Sequence, residues 1–195
     1  MGNPSALGAA GLFAALGALC GVICAFCPMF EALNVSLGWT GIFPSRGGTA
    51  PLLPGVFFGL VLAVLIYTLH ATEWLRALSG ILISAVAWVI AVHVAQEFRD
   101  LWASGLVAGA VGAAITGAGT ALVVPGYRSL SGIAPTILVG GLAGLLLLVM
   151  DNDASPLSLA PVYVGWQASV AATIAYAIAK QKTVPADTVL KAAAS

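Results

Sequence analysis

The sequence predicts an all-α integral membrane protein, a bundle of six transmembrane helices with both termini on the cytoplasmic side. Three observations carry this expectation. Of the 195 residues, 61% are apolar and only 7% charged, whereas soluble domains carry about a quarter charged residues. Mean hydropathy is +1.06. The apolar residues gather into six windows of about 20 residues, the length that crosses the hydrocarbon core of a bilayer, and most of the charge falls between them. Helices are required because backbone groups in lipid must be satisfied within the chain, and none of the windows alternates with the period of a barrel strand.

The first span is expected over 6–27. Its leading residues "MGNPSALGAAGLF" lack the basic region of a cleaved signal, so the stretch is read as a retained span. The others are expected over 51–70, 77–95, 101–124, 132–150 and 159–179, making 1–195 a single six-span domain. Their separators "ATEWLR", "EFRD", "PGYRSLS" and "DNDASP" collect charges and turn formers. Pro54, Pro135 and Pro161 stand near span starts, where a missing N–H costs nothing in the first helical turn. The connection 28–50 is long and only moderately polar. Within it "FEALNVSLGW" suits an interfacial segment or a lid, "PSRGGT" reads as a turn, and Asn34 heads a sequon that matters only in a secretory pathway.

Sidedness follows from the basic residues near span ends. Arg76, Arg128, Lys180, Lys182 and Lys191 share one side with both termini, against Arg46 and Arg99 on the other. That places the termini in the cytoplasm and the 28–50 loop outside, in a bacterial-type inner or plasma membrane. The net charge is zero, so nucleic acid has no basic surface to bind.

The fourth window, "SGLVAGAVGAAITGAGTALVV", is the most biased. At 100° per residue Gly105, Gly109, Gly112, Thr116, Gly119 and Thr120 form one stripe. Such a face admits a neighbouring helix backbone closely, with hydroxyls able to bond across the contact; alternatively it lines a narrow pore. Gly17 with Gly21, and Gly140 with Gly144, repeat the small-residue spacing. No Asp, Glu, Lys or Arg lies in the middle of a window, which argues against an ion-coupled transporter. Gln167, beside Trp166, is the strongly polar side chain nearest mid-span, read as interhelical glue or a solute contact.

Cys20, Cys24 and Cys27 are all the cysteines and share one helix face. Packing is the plainer reading, since buried cysteine behaves as a small hydrophobe. Two chemical readings stand beside it. Cys27, Met29 and His93, with Cys24, would lie at similar depth and offer soft ligands to Cu(I). The C-x-x-C unit would alternatively serve thiol redox chemistry, but the chain has no second cysteine pair to relay electrons. His93 lies about 24 Å along the third span from its start at 1.5 Å per residue, while His70 ends the second span on the opposite side, so the two cannot clamp one haem. Each histidine has a carboxylate near in sequence, Glu73 and Glu97. Nucleophile elbows, zinc-protease, Walker and dinucleotide motifs are missing, so neither an enzyme nor a cofactor is expected.

The stretch "NPSALGAAGLF", Asn3–Phe13, resembles the Asn-Pro-x-Pro-Leu-Gly opening of the acetate and succinate permease family, with Ala6 in place of the second proline; "FFGL" at 57–60 is loosely similar to that family's second-span motif. Its members are six-span proteins of about this length, so the resemblance implies a solute permease.

The leading expectation is therefore a passive channel or permease for a small neutral or weakly acidic solute. An accessory or scaffold subunit of a larger membrane complex is the alternative, and a copper or thiol redox protein the second. The lipid bilayer is the expected environment, and further copies or other membrane subunits the expected partners.

Overall fold

The computed structural model describes residues 4–27, 44–45, 48–49, 52–70, 73–98, 100–149 and 156–181. Six helices, long and apolar enough to cross a membrane, run in the order α1 (Pro4–Ala25), α2 (Leu53–His70), α3 (Trp74–Glu97), α4 (Leu101–Val123), α5 (Leu130–Gly144) and α6 (Pro156–Gln181). A 3-10 turn at Pro125–Arg128 joins α4 to α5, and α5 tightens into a second at Leu145–Val149. The described part of the long loop is a two-residue antiparallel pairing, Pro44–Ser45 with Gly48–Thr49. The interfacial segment, Asn34, Met29 and the basic or acidic residues Arg46, Arg99, Asp151, Asp153, Lys182 and Lys191 lie outside the described residues.

The outer surface is largely apolar on α1 to α5. Leu122 is 76% exposed and Leu82 68%, and Leu12, Leu19, Val64 and Leu142 also point outward. In water so much exposed apolar area would drive association; in lipid it is the natural exterior. The fold is that of an integral, multi-pass membrane protein. Exposed Trp74 and Trp102 head α3 and α4, as expected of side chains at the two polar boundaries of a bilayer.

Three helix pairs are closed by glycines spaced four apart. On α1, a Cβ at Gly17 would lie 2.6 Å from the Gln167 carbonyl, and one at Gly21 2.5 Å from Val164 Cα, so α1 and α6 touch backbone to backbone. On α2, Gly55 and Gly59 meet Ala85 and Ile81 of α3 in the same way. Gly105 and Gly109 of α4 meet Gly144 and Gly140 of α5. Between apolar helices in lipid there is no hydrophobic drive, so close backbone packing supplies the association. Neighbours in chain order also pack, and α6 against α1 closes the ring.

α6 lies most centrally, contacting α1, α2, α4 and α5. Its inward side chains Tyr163, Trp166, Gln167, Val170, Ile174 and Ile178 recur at three- and four-residue spacing. Pro135 and Pro161 fall inside α5 and α6 rather than in a first turn. These helices begin two or three residues before the apolar windows, because polar Ser131 and Ser158 are accommodated within them; Pro156 instead takes the first position of α6. Similarly α3 starts at Trp74, so Trp74 and Arg76 belong to the helix and not to a linker.

Candidate functional site

The small-residue stripe of α4 is divided among three neighbours. Gly105 and Gly109 face the backbone of α5, as above. A Cβ on Gly112 would lie 3.2 Å from both the Trp166 ring and Ala91 Cβ, and one on Gly119 would lie 2.5 Å from Ile83 of α3. Thr116 and Thr120 are fully buried. Thr120 donates to the Thr116 carbonyl of its own helix at 2.8 Å, whereas cross-helix bonding was expected. The Thr116 hydroxyl has no partner among the described residues. A threonine hydroxyl bonding back to the preceding turn is the local solution available when the facing helix offers only apolar atoms.

The thiols sit on the opposite side of α6. Cys20, Cys24 and Cys27 are free and buried, with Cys20 and Cys24 Sγ 3.9 Å apart. Gln167 is fully buried beside them and donates from Nε2 to Cys24 Sγ at 3.3 Å, while its Oε1 has no partner among the described residues. Cys24 Sγ also points to the Pro54 carbonyl at 3.8 Å, joining α1, α2 and α6. His93 donates from Nδ1 to the Val89 carbonyl of its own helix at 2.8 Å. Among the described residues no three His, Cys, Asp or Glu side chains converge to hold a metal ion.

Between α3, α4, the α5 end and α6 lies a partly open cavity of about 260 Å³. Its walls are two indoles, Trp88 and Trp166, and small residues including Ala91, Ala95, Ala108 and Gly109. Trp88 stacks on Tyr163 with centroids 5.2 Å apart, and Trp166 meets Phe58 edge-on at 5.5 Å. Trp166 Nε1 donates to the Gly109 carbonyl at 3.3 Å; Trp88 Nε1 is buried with no partner among the described residues. Exposed Gln96 stands at the cavity's edge. Ser104 donates to the Ala95 carbonyl at 2.8 Å and holds the start of α4 to the end of α3 beside it.

The chain matches no protein-family model, no curated protein and no solved structure. Its likeness at Asn3–Phe13 to the acetate and succinate permeases thus remains a local one.

Sequence reading missed Trp88, Tyr163 and Tyr127. Tyr127 follows α4 in the 3-10 turn, is fully buried, and donates to the Gly132 carbonyl at 3.1 Å while its hydroxyl also meets Thr136. A tyrosine within an otherwise polar separator is the signal that could have found it, since a buried phenol needs a partner. Trp88 gives no such signal: one aromatic in an apolar span looks like any lipid-facing residue.

Proposed function

We propose that this chain is a non-catalytic subunit of a larger membrane assembly, with both ends in the cytoplasm of a bacterial-type inner or plasma membrane. The observation that supports this reading is the covering of the α4 stripe. Gly105 and Gly109 abut α5, Gly112 abuts Trp166, and Gly119 abuts Ile83, so the small residues serve contact between helices. The absence of Asp, Glu, Lys and Arg from the middle of the spans fits a part that moves no ion through itself. Extensive apolar faces on α1 and α3, with Leu12, Leu19, Leu78 and Leu82 exposed, offer area for lipid and for other subunits. The test is purification from native membranes in mild detergent. Stoichiometric recovery with the same membrane partner, together with no solute flux by the isolated chain in liposomes, is the expected result. A stable homo-oligomer without partners that passes solute would sink it.

A second reading has one observation in its favour. Gly105 and Gly109 also border the cavity, which would make that cavity the vestibule of a passive route for a small neutral or weakly acidic solute. On this reading Gly112→Leu, which drives a side chain toward Trp166, stops flux while assembly is retained.

A further inference from the structure

We propose that Cys20 and Cys24 of α1 form a two-coordinate site for a soft monovalent metal ion of the Cu(I) kind, with the Gln167 amide N–H held on the metal-bound Cys24 sulfur. The pair differs from the ligand set that the sequence suggested: His93 is not part of it, and Cys27 stands beside it. It holds whether the chain is a subunit or a permease.

The spacing of the sulfurs suits one kind of ion and excludes the commoner ones. Cys20 and Cys24 Sγ are 3.9 Å apart, on side chains that follow each other one turn apart on the same helix face. Two metal–sulfur bonds of about 2.3 Å each reach about 4.6 Å when linear, so an ion set between the sulfurs asks only a small shift of each side chain. Structural zinc takes four ligands, and calcium or magnesium six or more oxygens. Among the described residues no three His, Cys, Asp or Glu side chains gather to supply them. Cu(I) accepts two sulfurs in a line and selects thiolates over oxygen.

Gln167 points to the same ion. It is fully buried, its Nε2 donates to Cys24 Sγ at 3.3 Å, and its Oε1 has no partner among the described residues. A neutral thiol is a weak acceptor, so an amide placed in an apolar bundle recovers little of its desolvation there. A metal-bound thiolate carries negative charge, and a hydrogen bond to an ionised group is about twice as strong as one between neutral groups. An N–H fixed on a ligand atom is the outer shell that orients a metal ligand and holds charge on it. It also decides which of the two sulfurs ionises.

The charges then balance. On binding, the Cys24 S–H bond breaks, its proton leaves to bulk water, and a copper–sulfur bond takes its place; Cys20 keeps its proton and shares a sulfur lone pair. No electron is transferred. One thiolate and one monovalent ion cancel, so the occupied site buries no net charge, as an apolar interior demands. A divalent ion would leave a positive charge that no carboxylate in the middle of a span could meet. Cys27 lies just past the end of α1 and its thiol interacts with that of Cys24, which places a third sulfur between the pair and the helix end.

The probe is Cu(I) itself, titrated under argon into the full-length protein in nanodiscs against bicinchoninate, a coloured chelator of this ion. Chelator bleaching and the ultraviolet sulfur-to-copper band report binding. Expected is one ion per chain, retained against excess glutathione. Cys20→Ala and Cys24→Ala keep a small apolar side chain in the packing and should each abolish stoichiometric binding; should Cys24→Ala fail to assemble, Cys20→Ala alone decides. Gln167→Leu should keep the stoichiometry and weaken binding about ten-fold or more, the span of one hydrogen bond to a charged group, whereas a merely structural role would move only the thermal stability of the metal-free protein. His93→Ala and Cys27→Ala should bind like the parent. Failure to retain an ion against glutathione overturns the proposal, as does binding of several ions per chain that glutathione strips, an adventitious ion only. So does a Cys20→Ala protein of parental stability that binds like the parent, loss of binding in His93→Ala or Cys27→Ala, or an affinity untouched by Gln167→Leu.

Discussion

Gly105 and Gly144 each occupy the place of the other's side chain: a Cβ on either would collide with the carbonyl of its partner. Neither backbone can retreat alone, because Gly109 and Gly140 repeat the relation one turn along. Replacing Gly144 with Ala should therefore separate α4 from α5 and destabilise the protein by about 1–3 kcal/mol, the range for overpacked sites. Gly8 is the internal control. Nothing lies within 4 Å of its Cβ position, so Gly8→Ala should be neutral or stabilising by up to about 1 kcal/mol through helix propensity alone. Thermal unfolding in one detergent compares the two, and equal shifts would remove the glycine contact from the account of the fold.

A second expectation concerns α1. Gly21 lets α1 lie against Val164, and the same contact buries Cys20, Cys24 and Cys27. In the native protein these thiols should react with a maleimide at least about ten-fold more slowly than after denaturation in SDS, since reaction requires local opening. Gly21→Leu pushes α1 outward and should raise the native rate while α2–α3 and α4–α5 stay paired. Fast labelling of the unaltered protein would contradict the burial described.

What the sequence made legible, and what it did not, divides along a physical line. The apolar windows locate all six helices to within a few residues, because hydropathy acts locally. Periodicity likewise places Gly105, Gly109 and Gly112 on one side of α4. It does not say what covers them: two adjacent glycines of the stripe meet α5, the next meets both α3 and α6, and Gly119 meets α3. That assignment depends on six helices arriving together, information that no single window holds. Thr120 illustrates the same limit, since bonding to Thr116 or across an interface requires the same hydroxyl at the same position.

Tyr127 supplies a pH expectation. It lies outside the spans, and burial pushes its phenol up to about 12, with the Thr136 hydrogen bond acting in the opposite direction. A folded pKa above the ordinary 10 means that folding favours the neutral phenol. Its contribution is complete below pH 10 and is lost as pH rises from there toward 12. Melting temperatures between pH 8 and 11 should fall more steeply for the unaltered protein than for Tyr127→Phe. At pH 8 that variant should already be less stable by about 1 kcal/mol, having lost the bond to Gly132. Parallel curves would show that Tyr127 titrates as an ordinary surface phenol.

Gln167 separates packing from passage. Its Nε2 reaches Cys24 Sγ, a weak acceptor, while Oε1 is buried without a partner among the described residues. An amide in this state recovers little of its desolvation, so an apolar side chain of similar length should serve the fold at least as well. Gln167→Met is expected to hold stability or raise it by up to about 1 kcal/mol, whereas Gln167→Ala, which leaves a void against Cys24, should lose about 2–3 kcal/mol. Thermal unfolding decides this part, and a Met variant destabilised as far as Ala would mean that the amide is bonded more fully than the geometry indicates. Solute flux in liposomes decides the other: if Gln167 forms part of a solute route, Met should abolish transport in a protein that is fully assembled. If the amide serves only helix contact, partner recovery in mild detergent should be unchanged in the Met variant and reduced in the Ala variant, following stability rather than polarity.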